Sequence, residues 1–132
     1  MAEPGFIPPS IRTFERMQIV ALAVGWLNAT YTYRTVLHGR LSPILFAMAL
    51  ITASVVVVLL VFLISRRRST WAKWLLIVLS AAATAPWAAL MHRAGVADWS
   101  GVLGLFQGGL QIVSLFYLIH PASRAWFGSA VD

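Results

Sequence analysis

The sequence predicts an all-α fold: an integral-membrane, antiparallel four-helix transmembrane bundle with both termini cytoplasmic, built as a single transmembrane domain over residues 1–132. Composition is the first observation behind this, because 60% of residues are hydrophobic and 11% charged, against about 25% charged in soluble domains. A mean hydropathy of +0.81 points the same way. The second is the stretch ILFAMALITASVVVVLLVFLIS from Ile44 to Ser65, which lies in a run from Leu41 to Ser65 without an ionisable side chain. At about 1.5 Å per helical residue such a run crosses a hydrocarbon core roughly 30 Å thick. The third is the placement of Lys and Arg, which collect at the ends of apolar segments and act there as topology signals.

The expected spans are 17–36, 43–65, 71–91 and 99–119. Gly5 to Pro9 resists helix formation because Pro restricts itself and its predecessor. Ser10 is the expected cap of the first helix, with Arg12, Glu15 and Arg16 at head-group depth. A signal peptide starting at these arginines is the rival reading, and it is weakened by the lack of a small-x-small cleavage site after a long apolar run. Tyr31, Tyr33 and Arg34 border the membrane, and His38 to Arg40 form a turn. Ser42 caps the second helix, with Pro43 at its first position, where the missing N–H costs nothing. Ser69 or Thr70 caps the third, in which Pro86 is expected to cause a kink. Asp98 caps the fourth and Pro121 stops it, leaving a tail with Arg124, Trp126 and Phe127 for an interfacial turn. Trp71, Trp74, Trp99 and Trp126 read as belt residues, while Trp26 and Trp87 fall deeper.

Alternation of the spans puts Arg12, Arg16, Arg66, Arg67, Arg68, Lys73 and Arg124 on one side and Arg34, Arg40 and Arg93 on the other. The richer side is the cytoplasmic one. Arg66, Arg67, Arg68 and Lys73 are the candidates for binding anionic lipid. The sequence pI of 11.2 reflects this rim and not a nucleic-acid surface, so membrane lipids are the expected partners and nucleic acid is not. Without cysteine, disulfides and thiolate metal sites are excluded.

No ionisable residue lies in the middle of a predicted span, which argues against ion-coupled transport by a buried, titrating group. Uncharged polar residues cluster there instead. Gln18, Gly25, Asn28, Thr32 and Thr35 share one face of the first helix. On the fourth, Gly101, Gly104, Gln107, Gly108, Gln111 and Ser114 do the same, and Gly104 with Gly108 forms a GxxxG pair. Asn28 and Gln107 both sit roughly 16 to 20 Å from the cytoplasmic ends of their helices. Thr52, Ser54 and Thr84 reach similar depths. Two readings remain. In one, Asn28 and Gln107 hydrogen-bond across a close helix contact and fix its register. In the other, the layer lines a polar cavity or an oligomeric pore, or receives a partner helix, with Asn28, Thr84, Gln107 and Gln111 along the path; Gly104 and Gly108 are helix-packing candidates.

His38 and His92 fall at outer helix ends near Asp98, while His120 lies on the opposite side, so no ligand-spaced metal motif forms and no haem-bridging pair faces the interior. With Glu3, Glu15, Asp98 and Asp132 as the only carboxylates, catalysis has little to work with. The expectation is a protein that is not an enzyme and carries no cofactor.

At Arg68-Ser69-Thr70-Trp71-Ala72-Lys73 and at Pro121-Ala122-Ser123-Arg124-Ala125-Trp126-Phe127, the chain resembles small four-span bacterial inner-membrane proteins of unknown function. The resemblance implies a multi-pass protein of the bacterial inner membrane and carries no functional residue with it. The functional expectation is a non-catalytic protein that acts through helix packing as an accessory, stabilising or regulatory subunit, partnered by another membrane protein or by itself. The alternative is a homo-oligomeric channel or facilitator with an uncharged polar path.

Overall fold

A computed structural model describes the backbone of residues 6–37, 40–94 and 99–128, and their side chains apart from those at 36, 37, 86–88, 90–94 and 100. The described residues are all-α, with no strand among them. Helix α1 spans Pro9–Thr32 and passes into a π-helical turn, Tyr33–Leu37. Then follow α2 (Pro43–Arg67), α3 (Thr70–Ala94), α4 (Trp99–Ile119) and a short α5 (Pro121–Gly128).

α1 packs most closely on α4 and also on α2, while α3 packs on both α2 and α4. The contacts run antiparallel. Gln18 meets Ser114 and Gly25 meets Gln107, so the position on α4 falls by seven as that on α1 rises by seven. Trp26 with Ser54 and Glu15 with Arg66 show the same reversal between α1 and α2.

α2 and the Gly101–Ile119 part of α4 are long and apolar enough to cross a membrane, with mean hydropathies of 3.0 and 1.8. Only 11% and 22% of their apolar windows are buried within the chain. The exposed side chains on α2 include the large apolar Met48, Ile51, Val55 and Leu59. Thr70–Ala85 of α3 is apolar but shorter.

The hydrophobic core lies at one end of the helices, the end carrying the basic rim. Ile7, Ile11 and Phe14 of the N-terminal segment meet Leu60, Val61 and Ile64 of α2, Ala72 and Leu76 of α3, Leu118 of α4, and Trp126 and Phe127 of α5. Phe14, Ile11, Ile64 and Leu118 are wholly buried.

Several local expectations change. α1 begins at Pro9, before the expected cap: Pro8 takes the cap position, its carbonyl accepting from the N–H groups of Ile11 and Arg12. Ser10 is therefore inside the helix, 2.9 Å from the Ser123 hydroxyl. Ser42 precedes α2, yet its side chain makes no capping bond; Pro43 opens the helix as expected. Ser69 does cap α3, its hydroxyl accepting from Ala72 N–H at 3.3 Å. α3 is helical through Pro86. The expected turn residues His38 and Gly39, the side chains of Trp87, His92 and Arg93, and Asp98 lie outside what is described.

The tail differs most from expectation. Pro121 does more than stop α4: it opens α5, an element anchored by Ser123, whose hydroxyl donates to Tyr117 O at 2.6 Å. Trp126 is not a belt residue. It is 7% exposed, with its indole N–H directed at Ile64 O. Trp71, Trp74 and Trp99 remain exposed, as belt residues would be.

A polar cavity among the helices

The face repeat on α1 and the matching repeat on α4 bring small and polar residues together along the tightest helix contact. At its basic end Gln18 Nε2 donates to Ser114 Oγ at 2.7 Å, and Ser114 in turn donates to Gln111 O at 2.7 Å. Gln18 and Ser114 are both buried, so this pair fixes the rotation of the two helices. Interhelical bonds of this kind contribute about 0.6 to 2 kcal/mol. Farther along, Gln107 lies over Gly25, where a Cβ would come within 2.7 Å of its Nε2. The missing side chain at Gly25 makes room for the amide.

Asn28, Thr84, Gly104, Gln107, Gly108 and Gln111 line one cavity of about 140 Å³ together with Ala83. An adjoining cavity of about 330 Å³ shares Asn28, Gln107 and Gln111 and reaches Trp26 and Ser54. Every lining residue is uncharged. Thr84 Oγ1 donates to Gln111 Oε1 at 3.4 Å, tying α3 to α4. Trp26 Nε1 donates to Ser54 Oγ at 2.8 Å, and Ser54 Oγ donates back to Leu50 O at 2.7 Å, tying α1 to α2.

Asn28 and Gln107 do not form the hydrogen bond that their depths allowed. Gln107 is turned onto Gly25, and Asn28 Oδ1 is buried with no hydrogen-bond partner among the described residues. Leaving such an acceptor unsatisfied costs about 1 to 3 kcal/mol. Comparison with known proteins finds no matching family model, curated protein or solved structure. The chemistry of this cavity therefore carries the functional argument.

The two glycine contacts differ from the GxxxG expectation. A Cβ on Gly108 meets nothing within 4 Å, because that glycine faces the cavity. A close approach occurs at Gly25, which forms no GxxxG pair. Gly108→Ala is expected to be neutral or stabilising by up to about 1 kcal/mol, since it removes a flexible backbone position from a helix. Gly25→Ala displaces only the end of the Gln107 side chain, whereas Gly25→Leu wedges α1 from α4 and is expected to cost about 1 to 3 kcal/mol. Unfolding titrations of the three variants in mixed micelles check this order; equal losses at both positions would contradict it.

Thr52, expected in the same layer, is exposed. It sits two residues from Ser54, about 200° around the helix. The Trp26–Ser54 and Gln18–Ser114 bonds are additions to the sequence reading. All four residues stand out by depth or face, but pairing them needs the register.

The anionic-lipid candidates surround the apolar core at the basic end. Arg66 lies 3.8 Å from Glu15, Arg67 is exposed, and the Arg68 guanidinium stacks 4.0 Å from the Trp126 ring. Arg68 closes α2 with a left-handed φ of 52°, while Leu63 O accepts from the N–H groups of both Arg68 and Ser69. Lys73 Nζ is 4.7 Å from the Phe127 ring. Among the described residues no group of three or more potential metal ligands occurs, and His120 Nδ1 accepts from Ala122 N–H.

Proposed function

We propose that this is a multi-pass protein of the bacterial inner membrane, a four-helix transmembrane bundle with both termini cytoplasmic. In this reading it is non-catalytic and serves as an accessory, stabilising or regulatory subunit of a membrane complex. The observation that carries the reading is Asn28, which lines an uncharged polar cavity and whose buried Oδ1 has no hydrogen-bond partner among the described residues. In hydrocarbon no bulk water can satisfy that acceptor, and a partner that repacks the cavity wall supplies the donor. Toward the basic rim the helices gather around an apolar core that includes Phe14, Leu60, Ile64, Leu76 and Leu118. An apolar core at that end supports recognition over conduction through a single chain.

The second reading is a homo-oligomeric channel or facilitator, and the run of Asn28, Gln107 and Gln111 along both cavities favours it. In that case the path runs between copies.

The test is the native mass of the complex extracted gently from its own membrane, with every co-purifying chain identified. A stoichiometric foreign subunit is expected, and Asn28→Leu, which removes the acceptor, should release it. A homo-oligomer that gives solute flux in proteoliposomes, lost on Gln107→Leu, would replace the accessory reading with the second.

A further inference from the structure

We propose that the groove between α3 and α4 seats one acyl chain of an anionic phospholipid, with the lipid phosphate held at Lys73. The inference rests on the membrane reading above. The groove has a volume of about 370 Å³ and is lined by Trp74, Ile77, Ile112, Leu115, Phe116 and Ile119. All six are apolar, and Trp74 and Phe116 are 57% and 62% exposed. From Ile112 to Ile119 the groove follows α4 for about 10 Å, ending where His120 and Pro121 lead into α5.

A cation is fixed at that end. Lys73 Nζ lies 5.5 Å from the Trp74 ring at the lip of the groove and 4.7 Å from Phe127 of α5. Arg124, three residues before Phe127, shares that face of α5 by helical spacing. The wider rim adds Arg12, Arg16, Arg66, Arg67 and Arg68, and Glu15 is the one carboxylate among the described residues. A phospholipid supplies an apolar chain and a phosphate at the separation this arrangement needs. A second copy lying parallel in the same membrane brings its own basic rim alongside this one, so like charges oppose it. A zwitterionic lipid fills the groove but leaves the rim uncompensated.

The full chain, extracted in mild detergent, is exposed to phosphatidylglycerol or phosphatidylcholine, and the lipid retained per chain is counted by native mass spectrometry. Preferential retention of phosphatidylglycerol is expected. Lys73→Gln should lower it about fivefold, the factor carried by about 1 kcal/mol per basic side chain at an anionic surface. Lys73→Arg should restore it, and a purely structural role in docking α5 would lower retention of both lipids alike on Lys73→Gln instead of removing the preference for phosphatidylglycerol. Ile112→Trp fills the groove, leaves every charge in place and should also reduce retention. Equal retention of the two lipids, or undiminished retention by Ile112→Trp, overturns the proposal. So does a dimer that Ile112→Trp dissociates without loss of lipid, which would assign the groove to a second copy. A chain recovered soluble without detergent sinks the membrane reading itself, whereas an integrated chain without lipid preference sinks only this site.

Discussion

Phe14→Ala is expected to destabilise the protein by about 3 to 5 kcal/mol, the range for removing a buried aromatic side chain. Phe14 is 0% exposed and belongs to the cluster in which the N-terminal segment, α2, α3, α4 and α5 converge. Truncating it leaves a void that rigid helices from several directions cannot close together. Because Trp126 and Phe127 lie in the same cluster, the variant should also loosen α5, seen as faster amide exchange over Pro121–Gly128. Phe116→Ala is the matched control: the same atoms are removed from a side chain that is 62% exposed, so a change within about 0.5 kcal/mol is expected. Unfolding of both variants by sodium dodecyl sulfate titration in lipid–detergent micelles checks the contrast. Equal effects would mean that the tight packing does not lie where the helices gather at the basic end.

Why the core sits there is only partly legible in the sequence. The run from Ile44 to Ser65 announces a helix by length and hydropathy, but it is apolar on every side and so hides the face that turns inward. Leu60, Val61 and Ile64 are buried while Val55, Val58 and Leu59 are exposed, a division that comes from the neighbours and not from residue type. The polar face of α4 is readable because small and amide side chains stand out against an apolar background. Asn28, Thr84, Gln107 and Gln111, marked by depth and spacing, line one cavity together with the packing candidates Gly104 and Gly108. What spacing does not provide is the offset between helices. A slip of about one helical turn decides whether Gln107 meets Asn28 or rests on Gly25, and the structure takes the second arrangement. The tail misleads for a similar reason: Trp126 and Phe127 after Pro121 look like interfacial anchors until the turn at Arg68 supplies a guanidinium to stack on one ring and Lys73 an ammonium near the other.

The low burial of α2 gives the membrane reading its most direct test, because the same substitution has opposite consequences in water and in lipid. Val55 lies at the middle of α2 and is 60% exposed. On the surface of a water-soluble protein, Val55→Arg would change stability by no more than about 0.5 kcal/mol and would improve solubility. At the centre of a membrane span, an arginine costs about 2.5 to 3.5 kcal/mol on insertion scales. Among the described residues no carboxylate is on hand to relieve it, and α2 meets the polar cavity through Leu50, Ala53, Ser54 and Val57, not through Val55. We expect Val55→Arg to lower the fraction of chain that resists alkaline extraction from membranes and to lower its stability by that amount. Arg67→Val, which removes a charge from the exposed rim instead, should leave integration intact, since six other Lys or Arg residues remain on the same side. A Val55→Arg variant that integrates and unfolds like the parent would place α2 against water, and the large apolar side chains along it would then have to be covered by protein.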